Sequence, residues 1–240
     1  MRYHLGGSAP LEFEFESPRL RYSGYLAFTP YDGATRPLLL VTDAGHGAVH
    51  LVDVVGKAHM GYVAAPLSIP GPRGVATTRG LVAVSSWSHS DSGDHVVYVY
   101  GGSGSTWQRV RVLGSRCGAH DSELDRPYSL RFSSDGTHVA VADCGNGRVA
   151  LFRVSDGALV RYVAKGLAGP RDVEESREGW LVACLDSNTV EHILGPVPVG
   201  GPRPRTTLGG FGYPSSLALV RGLGLFVREI LGEGRLQLFR

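Results

Sequence analysis

Five segments of this chain repeat one pattern, and a repeat constrains a fold more tightly than any composition does. They read SGYLAFTPYDGATRPLLLVTDAGHGAVHLVDVV from Ser23, PRGVATTRGLVAVSSWSHSDSGDHVVYVY from Pro72 and PYSLRFSSDGTHVAVADCGNGRVALFRV from Pro127. PRDVEESREGWLVACLDSNTVEHIL from Pro170 and PSSLALVRGLGLFVREILGEGRLQLF from Pro214 complete the set. Successive starts differ by 49, 55, 43 and 44 residues, and the longest step carries a visible insertion. A period of about 40–50 residues filled with short strands is the signature of a β-propeller.

The third repeat shows how one unit is built. YSLRF, THVAVADC, RVALFRV and ALVRYVA read as four strands, joined by the turn sequences SSDG, GNG and SDG. Four antiparallel strands with glycine-containing hairpin turns make one blade. In the second and third strands, adjacent positions are apolar: Val139 to Ala142, then Val149, Leu151 and Phe152. That pattern suits a sheet sandwiched between two neighbours, with no solvated face. In the second repeat WSHSDSG stands where the third has GNG, so that hairpin projects further. The Pro- and Gly-rich stretch from Pro196 to Pro204 reads as a surface loop inside the fourth repeat.

Gly and Pro make up 48 of the 240 residues and are spread along the chain; the longest stretch free of both is Trp180 to Leu194. Long helices are therefore excluded. The last repeat lacks sequence for a fourth strand, while LEFEFES (Leu11 to Ser17) is an alternating strand with no repeat of its own. The expectation is a single domain over 1–240, all-β, with five blades closed into a ring by the N-terminal strand. Six blades are the alternative, if Met1 to Gly24 forms a degenerate blade.

PYSLRFSSDGTHVAVADCGNGRVALF resembles the NHL repeat family: a Pro-x-x-Leu opening, a turn, an apolar strand ending in Asp, a Gly-Asn-Gly-Arg turn and a strand ending in Phe. The resemblance runs over about residues 18–240 and is clearest in the first and third repeats. Asp43 and Asp143 match the family's turn-capping Asp; Ser86, Cys184 and Glu229 replace it elsewhere. The resemblance implies a propeller, usually six-bladed, that binds proteins or RNA across one face. Propeller relatives include lyases and lactonases, so the fold leaves function open.

Inner strands of a propeller line its channel, and the residue after each repeat-opening position should lie at the channel mouth. Those residues are Gly24, Arg73, Tyr128, Arg171 and Ser215. Two guanidiniums and a phenol suit an anionic or sugar-like ligand. The competing expectation is that Asp172 and Glu174 hold the arginines in structural ion pairs. If the chain is an enzyme, Asp172 is the acid–base candidate; the weight of the sequence is against an enzyme. No Gly-x-Ser-x-Gly precedes a helix, GGSGS lacks the Lys and helix of a phosphate loop, and Cys117 beside Arg116 and His120 is the one reactive-thiol candidate. No metal site and no cofactor are predicted; the nine His show no ligand-like spacing, HSDSGDH from His89 to His95 being the best cluster.

A net charge of +2 excludes a strong electrostatic pull on nucleic acid or membrane. RNA remains a weak alternative, resting on Arg73, Arg109, Arg111, Arg116, Arg126 and Arg171 with Trp87, Trp107 and Tyr128. The N-terminus has no apolar core of signal-peptide length, and Cys144 and Cys184 end predicted strands as buried thiols. Both features point to a soluble, cytoplasmic protein. The functional expectation is a binding or scaffold module for another protein, with Trp87 and His89 on the projecting loop as its anchors.

Overall fold

The computed structural model describes residues 20–29, 37–88, 93–195, 204–220, 222–231 and 234–239. Nineteen strands and no helix are found among them, arranged as five antiparallel sheets in a ring: a five-bladed β-propeller. Blade 1 comprises β1 (Ser23–Phe28), β2 (Leu39–Asp43), β3 (Ala48–Asp53) and β4 (Ala58–Ala64). Blade 2 comprises β5 (Pro72–Thr78), β6 (Leu81–Ser86), β7 (Val96–Ser103) and β8 (Thr106–Leu113). Blade 3 comprises β9 (Pro127–Phe132), β10 (His138–Asp143), β11 (Arg148–Arg153) and β12 (Leu159–Lys165). Blade 4 comprises β13 (Pro170–Ser176), β14 (Gly179–Cys184), β15 (Thr189–Leu194) and β16 (Arg205–Leu208), and blade 5 comprises β17 (Pro214–Val220), β18 (Gly224–Glu229) and β19 (Leu236–Phe239). The expected closing strand, Leu11 to Ser17, lies outside the described residues.

The unbroken apolar runs of the middle strands do fill two faces. On β6, Val82 and Val84 pack with Leu40, Val49 and Leu51 of blade 1, while the intervening Ala83 packs with Val139 and Val141 of blade 3. The same alternation recurs on β10, whose Ala140 turns to Trp180 and Val182 of blade 4. Each seam is thus a sheet-on-sheet core, and full burial of a side chain such as Phe152 contributes about 1.5–3 kcal/mol.

Two glycines are required by this geometry. Gly147 has φ 58°, and a side chain there would collide with the Leu167 carbonyl. A Cβ on Gly74 would fall 2.8 Å from the Ser129 Cα and closer still to the Tyr128 carbonyl, so β5 approaches β9 only because residue 74 has none. Where Asp is replaced at the β-turn, the middle-strand pairing persists. Ser86 faces Val96 across the longer hairpin, Cys184 faces Thr189, and the Ser86 hydroxyl donates to the Pro70 carbonyl at 2.6 Å.

Candidate functional site

Three hydroxyls from other blades fix the backbone at the channel mouth. Thr42 Oγ1 donates to the Arg73 carbonyl at 2.8 Å, and the Ser85 hydroxyl donates to the Tyr128 carbonyl. The Arg171 carbonyl receives the Tyr25 hydroxyl at 3.1 Å, and the same hydroxyl lies 3.5 Å from the Ser215 carbonyl. Tyr25 therefore reaches from blade 1 to blades 4 and 5. Its burial pushes the phenol pKa up, with Asp172 adding to the effect, so it stays protonated and able to donate.

On this frame Arg73, Trp87, Tyr128 and Arg171 form a continuous stack across blades 2, 3 and 4. The Arg73 guanidinium lies 4.5 Å from the Trp87 ring centroid, Trp87 and Tyr128 are 5.5 Å apart, and the Arg171 guanidinium sits 3.8 Å from the Tyr128 centroid. Each cation–π contact contributes about 0.5–2 kcal/mol, more where water is excluded. Burial lowers the Arg73 pKa from its ordinary value, although a guanidinium remains charged at neutral pH. Among the described residues no carboxylate pairs with either arginine, and the Nε atoms of both are buried without a hydrogen-bond partner.

Two expectations change here. Trp87, expected as an anchor on the projecting loop, is 6 % exposed and lies inside the stack, because it follows β6 directly and packs on the next blade's Tyr128. His89 lies outside the described residues. Nor do Asp172 and Glu174 hold the arginines. Successive side chains of a strand leave on opposite faces, so both carboxylates point away from Arg171. Glu174 pairs instead with Arg131. Asp172 accepts the N–H of Leu217 at 2.7 Å and of Val173 at 2.8 Å, joining blade 4 to blade 5.

Asp172 also lines a channel cavity of about 530 Å³, together with Tyr25, Thr77, Ser129, Arg131 and Arg228. Burial raises its carboxyl pKa against the pull of its hydrogen-bond donors and of Arg131. Arg73, Tyr128 and Arg171 do not line this cavity. The predicted site residues thus divide between a cationic aromatic mouth and a separate channel cavity lined by Asp172.

Three further polar groups formed that no local spacing announced. His46 Nδ1 lies 2.7 Å from Asp43, His50 Nε2 lies 3.5 Å from the same carboxylate, and His50 Nδ1 is 3.1 Å from His59 Nε2. Arg148 pairs with Asp143 at 2.6 Å and donates to the carbonyls of Ala119 and Glu123. His95, Cys117 and Asp125 bring one ligand-type atom each to within 4.8 Å of one another. Of the basic residues offered for RNA, Arg73 and Arg171 stand in the mouth stack while Arg109 and Arg116 are engaged elsewhere. Arg109 stacks on Tyr98 from the outer strand β8, and Arg116 pairs with Glu123 at 2.6 Å. Burial raises the thiol pKa of Cys144, and pushes that of Cys184 up to about 12, so neither favours the thiolate a nucleophile needs.

No protein-family model matches the chain, and no curated protein matches it. Solved structures do. A chain of the nidogen/laminin complex superposes with a TM-score of 0.60 at 15% identity over 80% of this chain, and the periplasmic gluconolactonase of Pseudomonas aeruginosa gives 0.58 at 16% over 85%. Hydrazine synthase of Kuenenia stuttgartiensis gives 0.57 at 17% over 88%. This chain spans 67%, 67% and 64% of those chains respectively. At such identities the likeness is one of fold, and the fold is a β-propeller that serves both binding proteins and enzymes.

Proposed function

We propose that this chain is a binding propeller, NHL-like in its repeat, that takes an acidic segment of a protein partner at the mouth formed by Arg73, Trp87, Tyr128 and Arg171. One observation carries the reading: two guanidiniums stand at the ends of an aromatic stack, and no carboxylate of the described residues neutralises them. A buried or half-buried charge without a counter-ion is costly, and an incoming carboxylate offsets that cost while using the planar donor fork. A protein partner is favoured over a small anion because the stack crosses three blades, a footprint suited to several acidic side chains. The nidogen/laminin structure is itself a propeller with a protein partner.

The test is calorimetric titration with acidic peptides of varied sequence, inorganic phosphate and simple carboxylates. Micromolar or tighter peptide binding that weakens at least about tenfold in Arg73→Ala and Arg171→Ala, and weakens with salt, supports the reading. Equal binding by wild type and both variants would sink it.

A second reading rests on Asp172, whose raised carboxyl faces the 530 Å³ cavity, as a general acid toward a small anionic or sugar-like substrate held by Arg131 and Arg228. It predicts turnover or binding of sugar acids that is lost in Asp172→Asn and unaffected by Arg73→Ala. The two sites are separable by these variants alone.

A further inference from the structure

The loop between β8 and β9 is closed on itself with unusual care. Cys117 forms a parallel bridge with Leu124, the Gly118 N–H donates to the Leu124 carbonyl at 3.0 Å, and Arg116 pairs with Glu123 at 2.6 Å. Arg148 of β11 reaches over and donates to the carbonyls of Ala119, His120 and Glu123 at 2.9, 3.3 and 2.8 Å. Asn146 donates to the Gly118 carbonyl at 2.8 Å. The loop's two ends, Cys117 and Asp125, are thereby held side by side. The Asp125 backbone is fixed in turn, its N–H on Asp143 at 2.7 Å and its carbonyl accepting the Gly145 N–H at 2.8 Å.

Against this pair stands His95, 4 % exposed, at the entry to β7. Its Nδ1 is 3.4 Å from Asp125 Oδ1, and Cys117 Sγ is 4.0 Å from that same oxygen. Ligand atoms around a tetrahedral zinc, at bond lengths of about 2.0–2.3 Å, are separated by about 3.3–3.8 Å. The Nδ1–Oδ1 separation falls in that range, the Sγ–Oδ1 separation is slightly longer, and all three atoms lie within 4.8 Å of one another. The other ring nitrogen settles the tautomer. His95 Nε2 lies 3.3 Å from the Ser88 carbonyl, which can only accept, so Nε2 carries the proton and Nδ1 is the acceptor, holding the Arg126 N–H at 3.2 Å with Asp125 Oδ1 3.4 Å away. A histidine whose far N–H is bonded to a backbone carbonyl is the usual outer arrangement of a metal-ligating imidazole.

We infer that His95, Cys117 and Asp125 form a site for a zinc-like divalent cation, bound through Nδ1, Sγ and a carboxylate oxygen with a fourth position left for water or a ligand. One imidazole, one thiolate and one carboxylate match the borderline-soft preference of Zn²⁺ and are a poor set for Mg²⁺ or Ca²⁺. The cation replaces the Arg126 N–H, 3.2 Å from Nδ1, as the acceptor nitrogen's partner. Binding moves one proton from the Cys117 thiol to solvent and leaves the imidazole neutral. The sequence concealed the set because its members sit just before β7, in the 117–124 loop and beside β9, with none of the close spacing that marks a metal motif.

Co²⁺ is the probe, added to the intact protein at neutral pH and followed by absorption. One equivalent should produce tetrahedral ligand-field bands in the visible and a thiolate-to-cobalt charge-transfer band in the near ultraviolet, both bleached by one equivalent of Zn²⁺. Cys117→Ser should abolish the charge-transfer band, and Asp125→Asn should weaken Zn²⁺ binding at least about 10–100-fold by chelator competition. Cys144→Ser should leave the spectrum intact. Absence of a charge-transfer band in the wild type, which involves no variant and so no folding defect, overturns the inference. Retention of the band in Cys117→Ser with loss in Cys144→Ser overturns it equally.

Discussion

Blades 1 and 3 both end their second strand in an aspartate, follow it with a glycine of positive φ and place a tyrosine on the fourth strand: Asp43, Gly47 and Tyr62 in one, Asp143, Gly147 and Tyr162 in the other. Both carboxylates are fully buried. In blade 3 the following residues are Asn146 and Arg148, and the guanidinium of Arg148 pairs with Asp143 while lying 4.5 Å from the Tyr162 ring. In blade 1 the same places hold His46 and Ala48. The room left by that alanine is taken by His50, which packs on His59 and Tyr62 with ring centroids 5.2 and 5.0 Å away. One frame thus carries a permanent cation in one blade and a titratable group in another. In these two blades the shared feature is a buried anion at this turn, and the nature of what satisfies it differs.

The titration behaviour diverges accordingly. Burial pushes the Asp43 carboxyl up, but the His46 ring and the N–H groups of Arg21 and His46 outweigh it and hold the group below its ordinary value. For Asp143, burial outweighs the donors and leaves the carboxyl above its ordinary value. His50 and His59 are both lowered, chiefly by burial.

The largest expected effect comes from removing the permanent cation. Arg148→Ala strands a buried carboxylate and unties the 117–124 loop, and should cost about 3–5 kcal/mol in urea-induced unfolding. A loss below about 1 kcal/mol would mean that Asp143 is satisfied by its N–H donors alone, and the two blades would then be alike. Next in size is a pH effect carried by the blade 1 histidines. Because the folded-state pKa values of His50 and His59 lie below the ordinary 6.5, the unfolded chain binds protons first on acidification. Stability is complete above that value and falls as pH drops below it toward the folded values. His59→Gln should therefore flatten the decline of Tm between about pH 7 and pH 5.5. An unchanged slope would place the pH response elsewhere. The smallest effect is expected at the edge of blade 3, where Lys165 Nζ lies 4.0 Å from the Tyr162 ring. Lys165→Ala should cost about 0.5–1 kcal/mol, and more than that would show that the lysine supports the placement of Arg148 as well.

The repeat arithmetic located nearly every strand, because hydrophobic runs and glycine turns are local signals. THVAVADC and RVALFRV fall on β10 and β11 within a residue at each end. The short strand Arg205–Leu208 completes blade 4 beyond that repeat's Pro- and Gly-rich stretch. The sites were less visible. Arg73, Tyr128 and Arg171 could be placed together at the mouth by counting from each repeat's opening residue, since strand position converts directly into radial position. Trp87 escaped, because in sequence it opens a polar loop and only the neighbouring blade's Tyr128 reveals that it turns inward. The His50–His59 contact spans a β3–β4 bulge that alternation does not register. His95, Cys117 and Asp125 meet through two turns whose course depends on Arg148, a residue outside all three segments.

The Tyr25 hydroxyl, resting on the Arg171 and Ser215 carbonyls, joins residues separated by 146 and 190 positions along the chain. Neighbouring blades pair over a few tens of residues, so blades 1 to 4 have local partners as soon as each is made. The Arg171 half of this contact has none until blade 4 exists and the Ser215 half none until blade 5 does, and contacts of such long range are the slowest to form. Until both halves form, the blades are an open arc with an unpaired seam, and the Tyr25 hydroxyl is among the contacts that close it.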